Sequence, residues 1–115
     1  MAAEKNFENR LKKFLEDEGC WFVKFFANAF TKTGIPDILC CCNSHFVGIE
    51  VKAPTGKPSE LQKRNIRKIE ESGGIGIVLY PDQFDEFKEL ICCVQSGRDM
   101  QALRIAHGIN ERWLK

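Results

Sequence analysis

A Pro36-Asp37 pair and a Glu50-Val51-Lys52 triplet are the residues whose types and spacing could do chemistry. They sit in two apolar, β-prone runs, 37–42 and 46–52, separated by Asn43, Ser44 and His45, a short polar break suited to a hairpin. Strand alternation puts Glu50 and Lys52 on one face, about 7 Å apart along the strand. Asp37 starts the partner strand and can approach that same face. Two carboxylates and one ammonium would then converge at a sheet edge. Carboxylate oxygens are hard ligands that favour Mg2+ or Mn2+ over zinc. Such an ion can polarise a phosphodiester and lower the pKa of a bound water. A neighbouring lysine can position that water or stabilise charge developing on phosphorus. Each residue also has a plainer reading: Asp37 as a turn residue, Glu50 and Lys52 as a solvated strand face.

The elements that must position these residues are readable. Phe7, Leu11, Phe14 and Leu15 recur at helical spacing, and Gly19 makes a stop, so the spacing predicts a helix over 3–18. Residues 20–27 are aromatic and β-branched and predict a strand, and 28–36 a loop. Strands at 37–42 and 46–52 follow, then a loop at 53–58 with Pro54, Gly56 and Pro58. Ser59-Glu-Leu-Gln62 matches a capping box that opens a helix reaching 71 or 72, stopped by Gly73-Gly74. Gln62 can bond back to Ser59, or turn toward the sheet with Ile66 and Ile69. Residues 75–80 form an apolar strand, 82–90 a helix, and 99–113 a further short helix. The order α-β-β-β-α-β-α predicts an α/β fold: an antiparallel meander, a right-handed parallel crossover, and a mixed four-stranded sheet flanked by helices.

A chain of 115 residues with 43% hydrophobic content predicts one domain, 1–115, with a real core. Seventeen basic against sixteen acidic residues argue against coating nucleic acid by bulk charge. The charge is local instead. Residues 52–68 carry Lys52, Lys57, Lys63, Arg64, Arg67 and Lys68 against Glu60 alone, a local charge of +5. Lys57, Lys63, Arg64, Arg67 and Lys68 read as a phosphate-binding stripe beside the proposed site. The acidic stretch 82–90 is expected to face away from DNA. Apolar runs fall short of the roughly 20 residues a membrane span needs, and the N-terminus lacks a secretory apolar region, so a cytoplasmic location is expected. The six cysteines have no zinc-type spacing and read as reduced, small, buried residues. Trp21, Phe22, Phe25 and Phe26 read as core or subunit contact, His45 as an exposed turn residue, and His107 as surface or structural.

The motifs taken together resemble the PD-(D/E)XK nuclease superfamily. The fuller pattern is Glu8 in a first helix, Gly34-Ile-Pro-Asp37, Gly48-Ile-Glu-Val-Lys52, and Gln62 opening the next helix. It is similar to the virus-type replication-repair nuclease family, VRR-NUC, over residues 4 to 80. That resemblance implies a restriction-endonuclease-like core and a Mg2+- or Mn2+-dependent DNA endonuclease. It implies Asp37 and Glu50 as metal ligands, Lys52 as the catalytic lysine, Glu8 as a helix-borne carboxylate near the metal, and Gln62 as an active-site support. Glu4 competes for the helical role, and Glu8 could equally pair with Lys12 at i,i+4. Small members of the family resemble Holliday-junction resolvases, which implies branched DNA as substrate, a homodimer, and a bacterial or phage-infected host cell. Two other readings stand beside it: a non-catalytic DNA-binding or adaptor protein retaining the fold, and a nuclease acting on RNA.

Overall fold

Phe7, Leu11 and Leu15 bury one stripe of helix α1 (Ala2–Asp17) against a sheet. The computed structural model describes residues 2–28 and 32–114. Beyond α1 follow strands β1 (Trp21–Lys24), β2 (Ile38–Cys42) and β3 (His45–Val51), helix α2 (Glu60–Glu71), and strand β4 (Ile75–Leu79). A 3-10 turn (Pro81–Gln83) leads into α3 (Phe84–Gln95) and α4 (Asp99–Leu114). The strands lie in the order β1-β2-β3-β4, the first two pairings antiparallel and β3–β4 parallel. This is the expected meander plus crossover, an α/β fold with a mixed four-stranded sheet and the outline of a restriction-endonuclease-like core.

Five details differ from expectation. The strand expected over 20–27 is regular only from Trp21 to Lys24, with one further bond from Phe25 N–H to Asp37 O at 2.8 Å. One step beyond Asp37 the partner segment reaches Pro36, which has no N–H to offer a ladder. The helix expected at 82–90 runs from Phe84 to Gln95, because Pro81 opens a 3-10 turn first. Trp21 and Phe26 are not core: they are 66% and 76% exposed. The cysteines divide likewise: Cys20, Cys40, Cys42 and Cys93 are buried as expected, but Cys41 and Cys92 are exposed. The β2–β3 turn is tighter than expected, since Asn43 and Ser44 alone form it at φ of 45° and 68°. His45 is therefore the first residue of β3, where it is half-buried and pairs with Asp99 at 3.2 Å.

Helices cover both faces of the sheet. Val47, Ile49, Val51, Ile75, Ile77 and Leu79 join the main core with residues of α1, α3 and α4. On the opposite face α2 sits close, because Gly76 has no side chain: a Cβ there would lie 3.0 Å from the Ile66 carbonyl oxygen.

Helix α4 seals the outer edge of β4. Asn110 accepts a hydrogen bond from Val78 N–H at 3.1 Å and donates to the Gly76 carbonyl at 2.8 Å. Its oxygen also takes the Trp113 indole N–H at 3.0 Å. Asn110 is 2% exposed, so water cannot replace it. Asn110→Ala should therefore strip partners from buried backbone groups and lower stability by about 2–4 kcal/mol, readable by urea denaturation.

Candidate active site

The strand register decides which side chains can meet. Ile38 pairs with Ile49, so one step further Asp37 stands opposite Glu50. Directly opposed residues point to the same side of a sheet, with Cβ atoms about 4.5–5.5 Å apart. Asp37 is fixed there by Val51 N–H, which donates to its Oδ2 at 2.9 Å. Lys52 N–H donates to Leu79 O at 3.0 Å, continuing the sheet pairing one residue past β3. That holds Lys52 on the Glu50 side, its Nζ 3.4 Å from Glu50 Oε2.

The loop carrying Asp37 is pinned to α2. Asn65 Nδ2 donates to Thr33 O at 3.1 Å. Gly34 takes φ of +77°, and a Cβ there would lie 2.9 Å from Leu61 O. Only glycine suits both the backbone angle and the close approach.

Gln62 performs both of its alternative roles. Its Oε1 accepts from Ser59 N–H at 2.8 Å, and its own N–H donates to Ser59 Oγ at 3.1 Å, which completes the capping box. With Oε1 so used, Nε2 points at the sheet and donates to Glu50 Oε2 at 3.0 Å. Lys52 and Gln62 thus share one oxygen of Glu50. The other, Oε1, is buried with no hydrogen-bond partner.

Burial, then the charge of Asp37, pushes the Glu50 carboxyl up to about 8, against the pull of Lys52. Lys52 and Lys24 lie against these two opposed carboxylates, yet one buried oxygen, Glu50 Oε1, keeps no hydrogen-bond partner. The hard oxygen donors of Asp37 and Glu50 fit a divalent cation such as Mg2+ or Mn2+.

Glu8 reaches the same end of the sheet from α1. It is 5% exposed and bonds Lys24 Nζ at 2.7 Å, with Lys12 Nζ at 3.4 Å on its other oxygen. Burial pushes this carboxyl up, but the two ammonium groups outweigh it and hold it below the usual range. Lys24 Nζ also lies 3.6 Å from Asp37 Oδ1. Burial pulls the Lys24 ammonium down, yet its carboxylate partners Glu8 and Asp37 carry it above its ordinary value. Lys24 therefore stands between Glu8 and Asp37. Among the described residues, the three carboxylates of Glu8, Asp37 and Glu50 do not bring three oxygens within 4.8 Å of one another. Glu4 is not part of the cluster among the described contacts.

Sequence reasoning passed over Lys24. The signal was present: it is the one charge within the apolar run 20–27. Its pairing with Ile38, the residue after Asp37, puts it at the sheet end.

The five basic residues do not form one stripe. Lys57 and Lys63 line a cleft of about 490 Å³ with Arg112 and Tyr80. Arg67 follows Lys63 by one helical turn, and its guanidinium lies over the Trp113 ring at 5.6 Å. Arg64 and Lys68 share another face of α2, and Lys68 borders a separate hollow with Lys32 and Phe46. Arg112, contributed by α4, is a cation of this surface that lay outside the sequence pattern; it pairs with Asp82 Oδ1 at 2.5 Å, so the acidic stretch 82–90 begins beside this surface instead of facing wholly away from it.

Opposed carboxylates, a lysine two residues beyond one of them, and this sheet order define a nuclease of PD-(D/E)XK type. A family model for the archaeal Holliday junction resolvase matches residues 2–73. The chain belongs to that family, and the matched region spans α1 to the end of α2, including Glu8, Lys24, Asp37, Glu50, Lys52 and Gln62. No curated protein and no solved structure matches the chain.

Proposed function

We propose that the protein is a divalent-metal-dependent endodeoxyribonuclease that hydrolyses phosphodiester bonds in branched DNA. The observation that carries this reading is Glu50: one oxygen is held by Gln62 and Lys52, while the other is bare and buried opposite Asp37. Asp37 and Glu50 would hold Mg2+ or Mn2+, and the bound ion would supply Lewis acidity toward the phosphate and toward a water. Lys52 lies where it can orient the attacking water or stabilise charge developing on the oxygens of the attacked phosphorus. Gln62 fixes the Glu50 carboxylate in one rotamer. Glu8 is the carboxylate beside the centre, holding Lys24 against Asp37. Within the superfamily we place the chain near the virus-type replication-repair nucleases, on Gly48-Ile-Glu-Val-Lys52 and Gln62.

Junction DNA is the proposed substrate because the matched family resolves junctions. Symmetric cutting of two strands requires two centres, hence a homodimer. An apolar row supports this. Trp21 pairs with Cys41 and Cys41 with Phe46 across the sheet, and all three are exposed. Sedimentation should give twice the chain mass, and Trp21→Ser should shift it toward the monomer.

The test is cleavage of labelled four-way, flap and linear DNA, and of the same shapes in RNA, with Mg2+, Mn2+ or EDTA. Cleavage of four-way DNA that needs the ion supports the reading. Turnover in excess EDTA, or none with either ion, overturns it. Junction binding without any cleavage would favour the adaptor alternative.

Lys57, Lys63, Arg64, Arg67 and Lys68 are the proposed phosphate contacts, with Arg112 added by the cleft. Lys63→Ala/Arg67→Ala should weaken junction binding and reduce its log–log salt slope by about two. Fluorescence anisotropy across a salt series measures this. An unchanged slope would show that this face does not touch phosphate.

A further inference from the structure

Away from the carboxylates, three thiols meet in the core. Cys20 directly precedes β1, while Cys40 and Cys42 lie two apart on β2 and share a face. Cys42 Sγ is 2.7 Å from Cys20 Sγ and 3.2 Å from Cys40 Sγ, and all three sulfurs lie within 4.8 Å of one another. All three residues are buried.

The register selects one pair. Trp21 pairs with Cys41, so one step back Cys20 stands directly opposite Cys42. Opposed residues in an antiparallel pair have Cα atoms about 4.5–5.5 Å apart, inside the range a disulfide needs. Cys40 and Cys42 belong to one strand, with Cβ atoms about 6.6 Å apart, beyond the roughly 4.5 Å limit. We propose that Cys20 and Cys42 form a reversible intrachain disulfide by exchange with a small-molecule disulfide such as oxidised glutathione.

The exchange balances in two steps. The Cys20 sulfur attacks one sulfur of the small disulfide, whose S–S bond breaks and releases one thiol. The Cys42 sulfur then attacks the Cys20 sulfur and releases the second thiol. The two protons from Cys20 and Cys42 leave on the two released thiols. The chain is oxidised by two electrons and the small disulfide is reduced by two.

Access and charge both fit. Cys20 is 8% exposed, against 1% for Cys40 and Cys42, so it is the sulfur that a reagent reaches first. Gln95 caps it from the rim, its Nε2 3.2 Å from Cys20 Sγ and 2.9 Å from Glu18 O. Burial raises the Cys20 thiol to about 11, so exchange at neutral pH is slow, over minutes to hours. A disulfide is uncharged and suits a dry pocket. Three thiolates around one divalent cation would bury a net negative charge. They would also have to spread to about 4 Å apart to reach metal–sulfur distances of about 2.3 Å. The bond would tie the α1–β1 junction, where Cys20 N–H donates to Leu15 O at 3.0 Å, to the far end of the strand that begins after Asp37.

The experiment uses the full chain with Cys41→Ser/Cys92→Ser, which removes the exposed thiols and leaves four. It is incubated with oxidised glutathione, alkylated in denaturant and mapped by mass spectrometry. The expected result is protection of two thiols, a Cys20–Cys42 linked peptide, and an unfolding midpoint raised by several degrees. Dithiothreitol should reverse all three. Adding Cys42→Ser or Cys42→Ala should abolish protection, and adding Cys40→Ser should leave it. A linked peptide joining any other pair, or four alkylated thiols after oxidation, overturns the proposal. So does stoichiometric Cd2+ binding by the reduced chain with sulfur-to-metal absorption that Cys40→Ser removes, which would assign a soft-cation site instead. The parent chain decides the matter even where a Cys42 variant does not fold. None of these readouts uses nuclease activity.

Discussion

Glu50→Gln should abolish cleavage and, in the same protein, stabilise the metal-free fold at alkaline pH. The first effect follows from removing a charged donor opposite Asp37. Losing most of the ion's contribution, about 4 kcal/mol, lowers the rate by about three orders of magnitude. The second follows from the sign of the proton linkage. The Glu50 carboxyl rises from its ordinary 4.5 to about 8 in the fold. The folded state therefore prefers the protonated form. Its contribution to stability is fully present below pH 4.5 and is lost as pH rises through about 8. One pKa unit corresponds to about 1.4 kcal/mol, so the buried charge costs the native metal-free chain several kcal/mol above pH 8. Glutamine keeps the shape and the Gln62 contact without the charge, so that loss should vanish. Calorimetry from pH 5 to 9 in EDTA should show a falling midpoint for the native chain and a flatter one for Glu50→Gln. Adding Mg2+ or Mn2+ should restore the native chain at pH 8 and leave the variant unmoved. Superimposable pH profiles would refute the linkage.

The parts of the site legible in advance are those fixed by local patterns. Period-two alternation places Glu50 and Lys52 together with no tertiary information, and the short hairpin then limits where Asp37 can go. The capping box likewise announced the start of α2, hence the position of Gln62. Local patterns fail where a contact depends on packing between distant elements. Lys24 pairs with Glu8 only because α1 lies over β1. Arg112 reaches the Lys57–Lys63 cleft only because α4 runs along the β4 edge. The division of the basic residues of α2 into two faces was calculable from helical geometry. Which face meets Trp113 was not, because that depends on where α4 docks. Of the two roles read for Trp21 and Phe26, core and subunit contact, exposure removes the first. Aromatic residues in a strand predict burial, but β1 is an edge strand that leaves Trp21 66% exposed, and Phe26 lies beyond its end.

Lys24→Met should destabilise the metal-free chain and make it more responsive to a divalent cation. The ammonium serves Glu8 at 2.7 Å and Asp37 at 3.6 Å, and its side chain is only 23% exposed. Breaking a well-buried pair costs about 3–5 kcal/mol. Partial solvation here and the help of Lys12 reduce that to about 2–3. Most of the loss is the penalty of leaving Glu8 buried with a weaker partner. Glu8→Gln/Lys24→Met should therefore recover much of it, although each single change destabilises. This non-additivity separates an ion pair from mere packing of the lysine stem. The response to metal follows from the same geometry. Lys24 already offers positive charge to Asp37, so in the native chain an arriving ion competes with it. Without the ammonium, Mn2+ should bind more tightly and raise the unfolding midpoint further than it does in the native chain. Calorimetric titration of both proteins with Mn2+ measures this directly. Equal affinities would mean that Lys24 and the ion do not share Asp37, and that Glu8 and Lys24 form a structural pair outside the metal centre.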